Sequence, residues 1–300
     1  MGREGSTAAH LHGVSEPQPI DARDAARPGI AAAAVLLDLD GTCLDSEDQF
    51  LHPRVREAVR EAARRVPVII ATGRMYRSAL PWCRELGIHT PVVCYQGALV
   101  REMPPPEGDG TVLLDEGVPP AAALRALHVA RAHNWHFQAY QDDELYCEQD
   151  RPEAHLYARI AGVPINFVDD LAPLLQRAIS TKAICVIEDP VEVDRCIDTM
   201  TRELKSEARV TRSLPQFVEI VNPRVSKAAA CALVCDRLRV SLNAAVAIGD
   251  APNDIEMLDA AGFAIVVRSA SASVLAHADA TCNPPREAGV ADALAALGLC

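Results

Sequence analysis

The chain has 300 residues, 49% hydrophobic and 23% charged, with a formal net charge of −12 and a mean hydropathy near zero. That length exceeds what one core usually grows to, so a core with a large insert or a second lobe is expected, and the composition excludes disordered and fibrous chains. The negative charge, with no cluster of Lys and Arg interleaved with aromatics to reverse it locally, excludes nucleic acid as a partner; a metal ion and a few placed cations can still draw a small anion into a cleft.

Met1 to about Ile30 mixes Gly, Ser, Pro, Ala and charges without periodicity and reads as a flexible leader. Residues 30–37 are apolar like a signal-peptide core, but the run is short and ends in acids without a cleavage pattern, so a buried strand is expected. No apolar stretch reaches the ~18 residues that span a bilayer, which predicts a cytoplasmic protein with no membrane partner. Apolar runs then alternate with amphipathic stretches: AAVLL, HPRVREAVREAARRV, VPVIIA, MYRSALPWCREL, PVVCY, and later AAVAI, DIEMLDAA, FAIVV. This is the pattern of an α/β parallel sheet wrapped by helices on both faces, and Val55, Val59, Ala62 and Val66 mark one packing stripe. The middle, from about Arg101 to Pro215, opens on MPPPEGDG and mixes the helix AAALRALHVARAH with WHFQAY, ELYCEQ and KAICVIED. It reads as an α+β lobe whose sheet turns one face to water or a cleft.

Chemistry concentrates where apolar runs end. Asp38 and Asp40 in LLDLDGTCLD are two apart in extended chain, so both carboxylates can face one cleft; one could attack phosphorus and hold a cation while the other moves a proton, and two solvated acids in a loop is the alternative. The next strand ends in Thr72-Gly73-Arg74, a hydroxyl, an approachable amide and a cation, although Thr72 could equally be a helix N-cap. Lys227 opens a helix after FVEIVNPRVS, where it could neutralise a carboxylate and a phosphate or simply lie on the surface. AVAI ends in Gly249-Asp250-Ala251-Pro252-Asn253-Asp254, acids suited to magnesium and lacking the alternation of a calcium loop.

Ten cysteines are mostly single and inside apolar runs, as small buried thiols in a reducing compartment would be; Cys231 and Cys235, one helical turn apart, lack the second pair a zinc site needs. His10, His12, His133 and His136 have no visible chelating partners. Trp82 and Trp135 are expected to pack, and Arg74 either to reach substrate or to pair with a neighbouring acid.

DLDGT, ATGR, the late lysine and GDAPND together resemble, in order and spacing, the four motifs of the haloacid dehalogenase superfamily. The insert falls between the second and third of them, as in the Cof-type branch, and VVCYQGALV and FVEIVNPRVSKAAA also look like that branch. The resemblance implies a Rossmann-like core from 31–100 and 216–300, an α/β cap from 101–215 that sets substrate specificity, and magnesium as cofactor. It implies that Asp38 is the nucleophile of an aspartyl-phosphate mechanism and Asp40 the acid and base. Gly41, Thr72, Gly73, Lys227 and Asn253 would hold the phosphate. Magnesium would be held by Asp38, the Asp40 carbonyl and Asp250, with Asp254 one step removed or acting through a water. One departure is Gln96, where the family usually has Asn before Gly97. The expected activity is hydrolysis of a small phosphate monoester, a sugar phosphate or a phosphorylated cofactor precursor. A phosphomutase of the phosphomannomutase type and a non-catalytic binding protein on the same fold are the alternatives, and oligomeric state is left open.

Overall fold

The computed structural model describes residues 20–21, 32–212 and 214–300; the leader expected over 1–30 lies outside them except for Ile20–Asp21. Strands β1 (Ile20–Asp21) and β2 (Ala34–Leu37) precede α1 (Pro53–Arg65), β3 (Val68–Ile70) and α2 (Tyr76–Glu85). A small sheet follows, formed by β4 (Val92–Cys94), β5 (Leu99–Arg101) and β6 (Val112–Asp115). The next stretch holds α3 (Pro120–His133), β7 (His136–Gln141), β8 (Glu144–Cys147), α4 (Pro152–Ala161), β9 (Ile165–Phe167), α5 (Ala172–Arg177), β10 (Lys182–Val186), α6 (Pro190–Leu204), β11 (Arg209–Arg212) and β12 (Phe217–Val221). The chain returns through α7 (Lys227–Leu238), β13 (Ala245–Gly249), α8 (Ile255–Ala260), β14 (Phe263–Val267), α9 (Ala272–Leu275), β15 (Ala280–Cys282) and α10 (Gly289–Ala296).

The core sheet runs β1-β15-β14-β13-β2-β3 with every pair parallel, as the alternation of apolar and amphipathic runs predicts. Side chains of β2 alternate between two apolar layers. Val35 and Leu37 pack with Val55, Val59 and Ala62 of α1, while Ala34 and Leu36 pack with Ala230 and Val234 of α7 and Met257 of α8. Val66, the fourth position of the expected stripe, is the residue that ends α1. Because β2 lies between β13 and β3, the segments after these three strands open side by side, ~4.8 Å apart, on the carboxyl edge of the sheet.

The cap sheet runs β11-β12-β10-β7-β8-β9, antiparallel except for the β8–β9 pair. Phe137, Ala139, Ala183, Cys185, Val218 and Ile220 face an apolar layer with α3 and α6. Gln138, Tyr140, Lys182 and Glu219 have the opposite parity and are also buried, so the polar face of this sheet is turned toward the core rather than to water.

Strand pairing cuts across the boundaries expected at 101 and 215. Val112–Asp115 pairs with β5 beside the core, which makes MPPPEGDG the loop of a hairpin, and Phe217–Val221 lies between β11 and β10 inside the cap sheet. Among the described residues, no helix is long and apolar enough to cross a membrane.

Candidate active site

Asp38 leaves the end of β2 with its amide donating to Ile248 O at 3.1 Å, and its side chain is 5% exposed. Lys227 is the first residue of α7, whose N-cap Ser226 accepts from Ala229 N. Its Nζ donates to Asp38 Oδ1 at 2.5 Å and to Asp254 Oδ1 at 2.7 Å. The other oxygen of Asp254 accepts the amides of Asp250 and Ala251, at 3.1 and 3.0 Å. Asp254 is thus occupied by three donors and serves to fix Lys227 and the turn after β13. Asp250 accepts from the Thr42 hydroxyl at 2.6 Å. Gly41 sits at φ +86, and a Cβ there would lie 2.2 Å from Asp250 Oδ2, so a glycine is what lets the two segments meet.

Asp38, Asp250 and Asp254 each offer an oxygen within 4.8 Å of the others. Burial pushes the Asp38 carboxyl well above the usual range; Lys227 opposes this and the charges of Asp254, Asp250 and Asp40 add to it. Asp250 is pushed up to about 7, first by burial and then by Asp254. Burial works to lower the Lys227 pKa, but Asp254 and Asp38 outweigh it and the net shift is upward. Lys227 therefore stays charged, a single cation among three carboxyl groups. Hard oxygen donors crowded in this way fit a divalent cation such as magnesium.

The Thr72 segment behaves differently from a helix start. Helix α2 begins at Tyr76, Met75 is its N-cap, and the Thr72 hydroxyl accepts from Arg74 N at 3.1 Å. The amides of Tyr76 and Arg77 are capped instead by Asp143 from the β7–β8 hairpin, at 3.0 and 2.7 Å, and Tyr95 donates to the same carboxylate at 2.7 Å. Arg74 pairs with a neighbouring acid: Nε meets Asp40 Oδ2 at 2.7 Å and Nη2 meets Oδ1 at 2.5 Å. Gln49 Nε2 reaches Asp40 Oδ1 at 3.5 Å.

Gln96 sits in the left-handed region, φ 62, beside Tyr95 at φ 52. Its longer amide bridges two domains. Nε2 donates to Glu219 Oε2 of the cap at 3.0 Å, and Oε1 accepts from Asn253 Nδ2 at 2.6 Å. Glu219 Oε1 in turn accepts from Lys182 Nζ at 2.9 Å, and the same Nζ donates to Gly73 O at 3.0 Å. A Cβ on Gly73 would stand 2.5 Å from Gln96 Nε2, so this glycine admits the bridging amide.

A cleft between cap and core is lined by Asp38, Asp40, Gly73, Asp250 and Asn253 on the core side. Gly41, Thr72, Lys227 and Asp254 are not among its lining residues. Sequence reasoning missed Gln49, Tyr157, Lys182, Phe217 and Glu219, which also line it. A lone Lys in KAICV and a lone Glu in FVEIV, each in a fully buried strand, were the available signals.

The remaining candidates are structural. His133 stacks on Trp135, whose indole donates to Glu192, and His136 contacts Gln138. Nine cysteines, Cys231 and Cys235 included, are buried thiols, and Cys300 is exposed. Trp82 lies under Arg74, while His10 and His12 fall outside the described residues.

A family model described as haloacid dehalogenase-like hydrolase matches residues 35–294. The phosphoglycolate phosphatase of Archaeoglobus fulgidus is 27% identical over 266 residues, covering 89% of this chain and 97% of that protein. The pyridoxal phosphate phosphatase of Escherichia coli is 25% identical over 259 residues, covering 82% of this chain and 91% of its own. A crystal structure from Thermotoga maritima superposes with a TM-score of 0.76 at 29% identity, covering 88% of this chain and 97% of that one.

Proposed function

This chain belongs to the haloacid dehalogenase-like hydrolases, and from that membership and the geometry of its cleft we propose a magnesium-dependent phosphatase of small phosphate monoesters that works through an aspartyl-phosphate on Asp38. The observation that carries the reading is Lys227 held between Asp38 and Asp254, beneath a cleft lined by Asp38 and Asp250. A single fixed cation keeps one oxygen of Asp38 engaged and aims the carboxylate.

Asp38, the Asp40 carbonyl and Asp250 would hold magnesium, which supplies positive charge for the phosphoryl oxygens in flight. An Asp38 oxygen attacks phosphorus, the bond from phosphorus to the ester oxygen breaks, and Asp40 hands that oxygen a proton. Asp40 then takes a proton from the water that attacks the aspartyl-phosphate, releasing phosphate and restoring Asp38. The Arg74 fork occupies both Asp40 oxygens, so one arm has to loosen for either transfer. Lys227, the Gly73 amide and the Thr72 hydroxyl supply donors to the transferring group, and one N–H of Asn253 remains beyond the one given to Gln96. A small cleft under a cap suits a compact metabolite, and small phosphorylated metabolites are what the named relatives act on.

The test is phosphate release from a panel of phosphorylated metabolites with magnesium, using Asp38→Asn as control. The variant is expected to fold and to lose at least about 10³-fold in kcat. Turnover retained in Asp38→Asn would end the nucleophile assignment.

A further inference from the structure

Three consecutive carbonyls in the segment after β3 are each held by a hydrogen bond. Thr72 O accepts from Gln96 N at 3.1 Å, Arg74 O from Tyr95 N at 2.9 Å, and Gly73 O from Lys182 Nζ of the cap at 3.0 Å. Of the three amides, that of Thr72 goes to Val93 O and that of Arg74 to the Thr72 hydroxyl, so the Gly73 amide is the one left without an acceptor among the described residues. Tyr95 and Gln96, which hold two of these carbonyls, both stand in the left-handed region, at φ 52 and φ 62. Side chains of these types disfavour that backbone, and it persists only where the surroundings enforce it.

The side chain of Gln96 shows what is gained. Glu219, ion-paired with Lys182, can only accept, so Gln96 turns Nε2 to it at 3.0 Å and offers Oε1 to Asn253 Nδ2 at 2.6 Å. An asparagine would adopt the left-handed backbone with less strain, but its amide would fall one methylene short of both partners. The bridging side chain is 2% exposed and passes Gly73 where a Cβ would block it. One residue thus touches the Thr72 carbonyl through its backbone, the cap through Glu219, and the turn after β13 through Asn253, which lines the cleft. We infer that Gln96 is a positioning residue for the phosphoryl group: it fixes Asn253 against the segment that presents the Gly73 amide, and it ties that fit to the cap strands carrying Lys182 and Glu219. The inference rests on the phosphatase reading and adds to it a residue that lies outside the four motifs.

The test is a double-mutant cycle between Gln96→Asn and Asn253→Ala, read as kcat/KM on p-nitrophenyl phosphate, glycerol 3-phosphate and phosphoserine with saturating magnesium, and with circular dichroism to confirm folding. In the wild-type background Gln96→Asn is expected to lose about five- to tenfold, by the same factor on all three esters because the phosphoryl group is what they share. In the Asn253→Ala background the same substitution should cost less than about twofold. A purely structural contribution lowers activity equally in both backgrounds, so additive losses overturn the inference. An unchanged kcat/KM in Gln96→Asn does so too, as does a loss that differs severalfold among the esters, which would put Gln96 on the leaving-group side. Calorimetry of orthophosphate binding to the same four proteins runs the cycle without turnover. Coupled losses of phosphate binding with no ester hydrolysed would sink the phosphatase reading and keep the role of Gln96; a wild-type protein that neither hydrolyses esters nor binds phosphate would sink both. Gln96→Met, equal in length and lacking both polar ends, repeats the cycle where the asparagine variant does not fold.

Discussion

Replacing Lys227 by Met keeps the volume of the side chain and removes the one charge that separates Asp38 from Asp254. Both carboxylates are at most 5% exposed, so the loss leaves buried acids without their cation. Breaking a buried pair in this way costs about 3–5 kcal/mol. With unfolding entropy near ~2.1 cal/mol/K per residue, ~0.6 kcal/mol/K for this chain, Tm at pH 8 without metal should fall by about 5–8 °C. The pH dependence carries the sharper test. Asp38 already binds its proton more tightly than an ordinary carboxyl does, and losing Lys227 raises its pKa further. At pH 5 protonation relieves the repulsion and the deficit should shrink. Thermal scans of both proteins at pH 5 and pH 8, with circular dichroism to confirm folding, measure this. A deficit below about 1 kcal/mol at pH 8, or one that does not change with pH, would refute the reasoning, because it would mean that the acids are not held apart by this lysine.

Other outcomes follow from the same cluster. A carboxyl whose pKa rises on folding lowers stability as pH climbs from its unfolded value, and for Asp250 that loss runs from 3.8 to about 7. Magnesium, which needs the ionised form, should therefore raise Tm more at pH 8 than at pH 5.5, and its apparent affinity should level off above about pH 7. A magnesium shift independent of pH would contradict the assignment of Asp250. Arg74→Lys replaces a two-armed fork with a point charge, so Asp40 loses its fixed orientation; kcat should drop by about tenfold or more with the fold unchanged, and an unaltered kcat would make the fork ornamental.

The parallel core was readable because each strand is one apolar run and each motif lies within a few residues of a strand end. Asp38 and Asp250 come together because β2 and β13 are neighbours, and the segment holding Thr72 follows β3 on the other side of β2. The cap side of the cleft was not readable in the same way. Lys182 and Glu219 are 37 residues apart and meet only through the β10–β12 pairing, whose register no local spacing encodes. MPPPEGDG has the composition of a linker and of a hairpin loop alike, and only the pairing of β5 with β6 decides between them. Arg74 stood one residue beyond a recognisable phosphate loop, yet its partner came from the first strand's loop, 34 residues earlier in the chain.

Asp143 belongs to the cap by chain position and to the core by hydrogen bonding, since it closes the first turn of α2 from the turn between β7 and β8. Lifting the cap therefore means uncapping a helix, at a cost of about 1 kcal/mol for a typical N-cap, with Tyr95 released at the same moment. The open state acquires a small, fixed penalty that does not depend on the substrate. Exchange of the Tyr76 and Arg77 amides with solvent would report how strongly Asp143 holds that turn, and so how readily the cap is released.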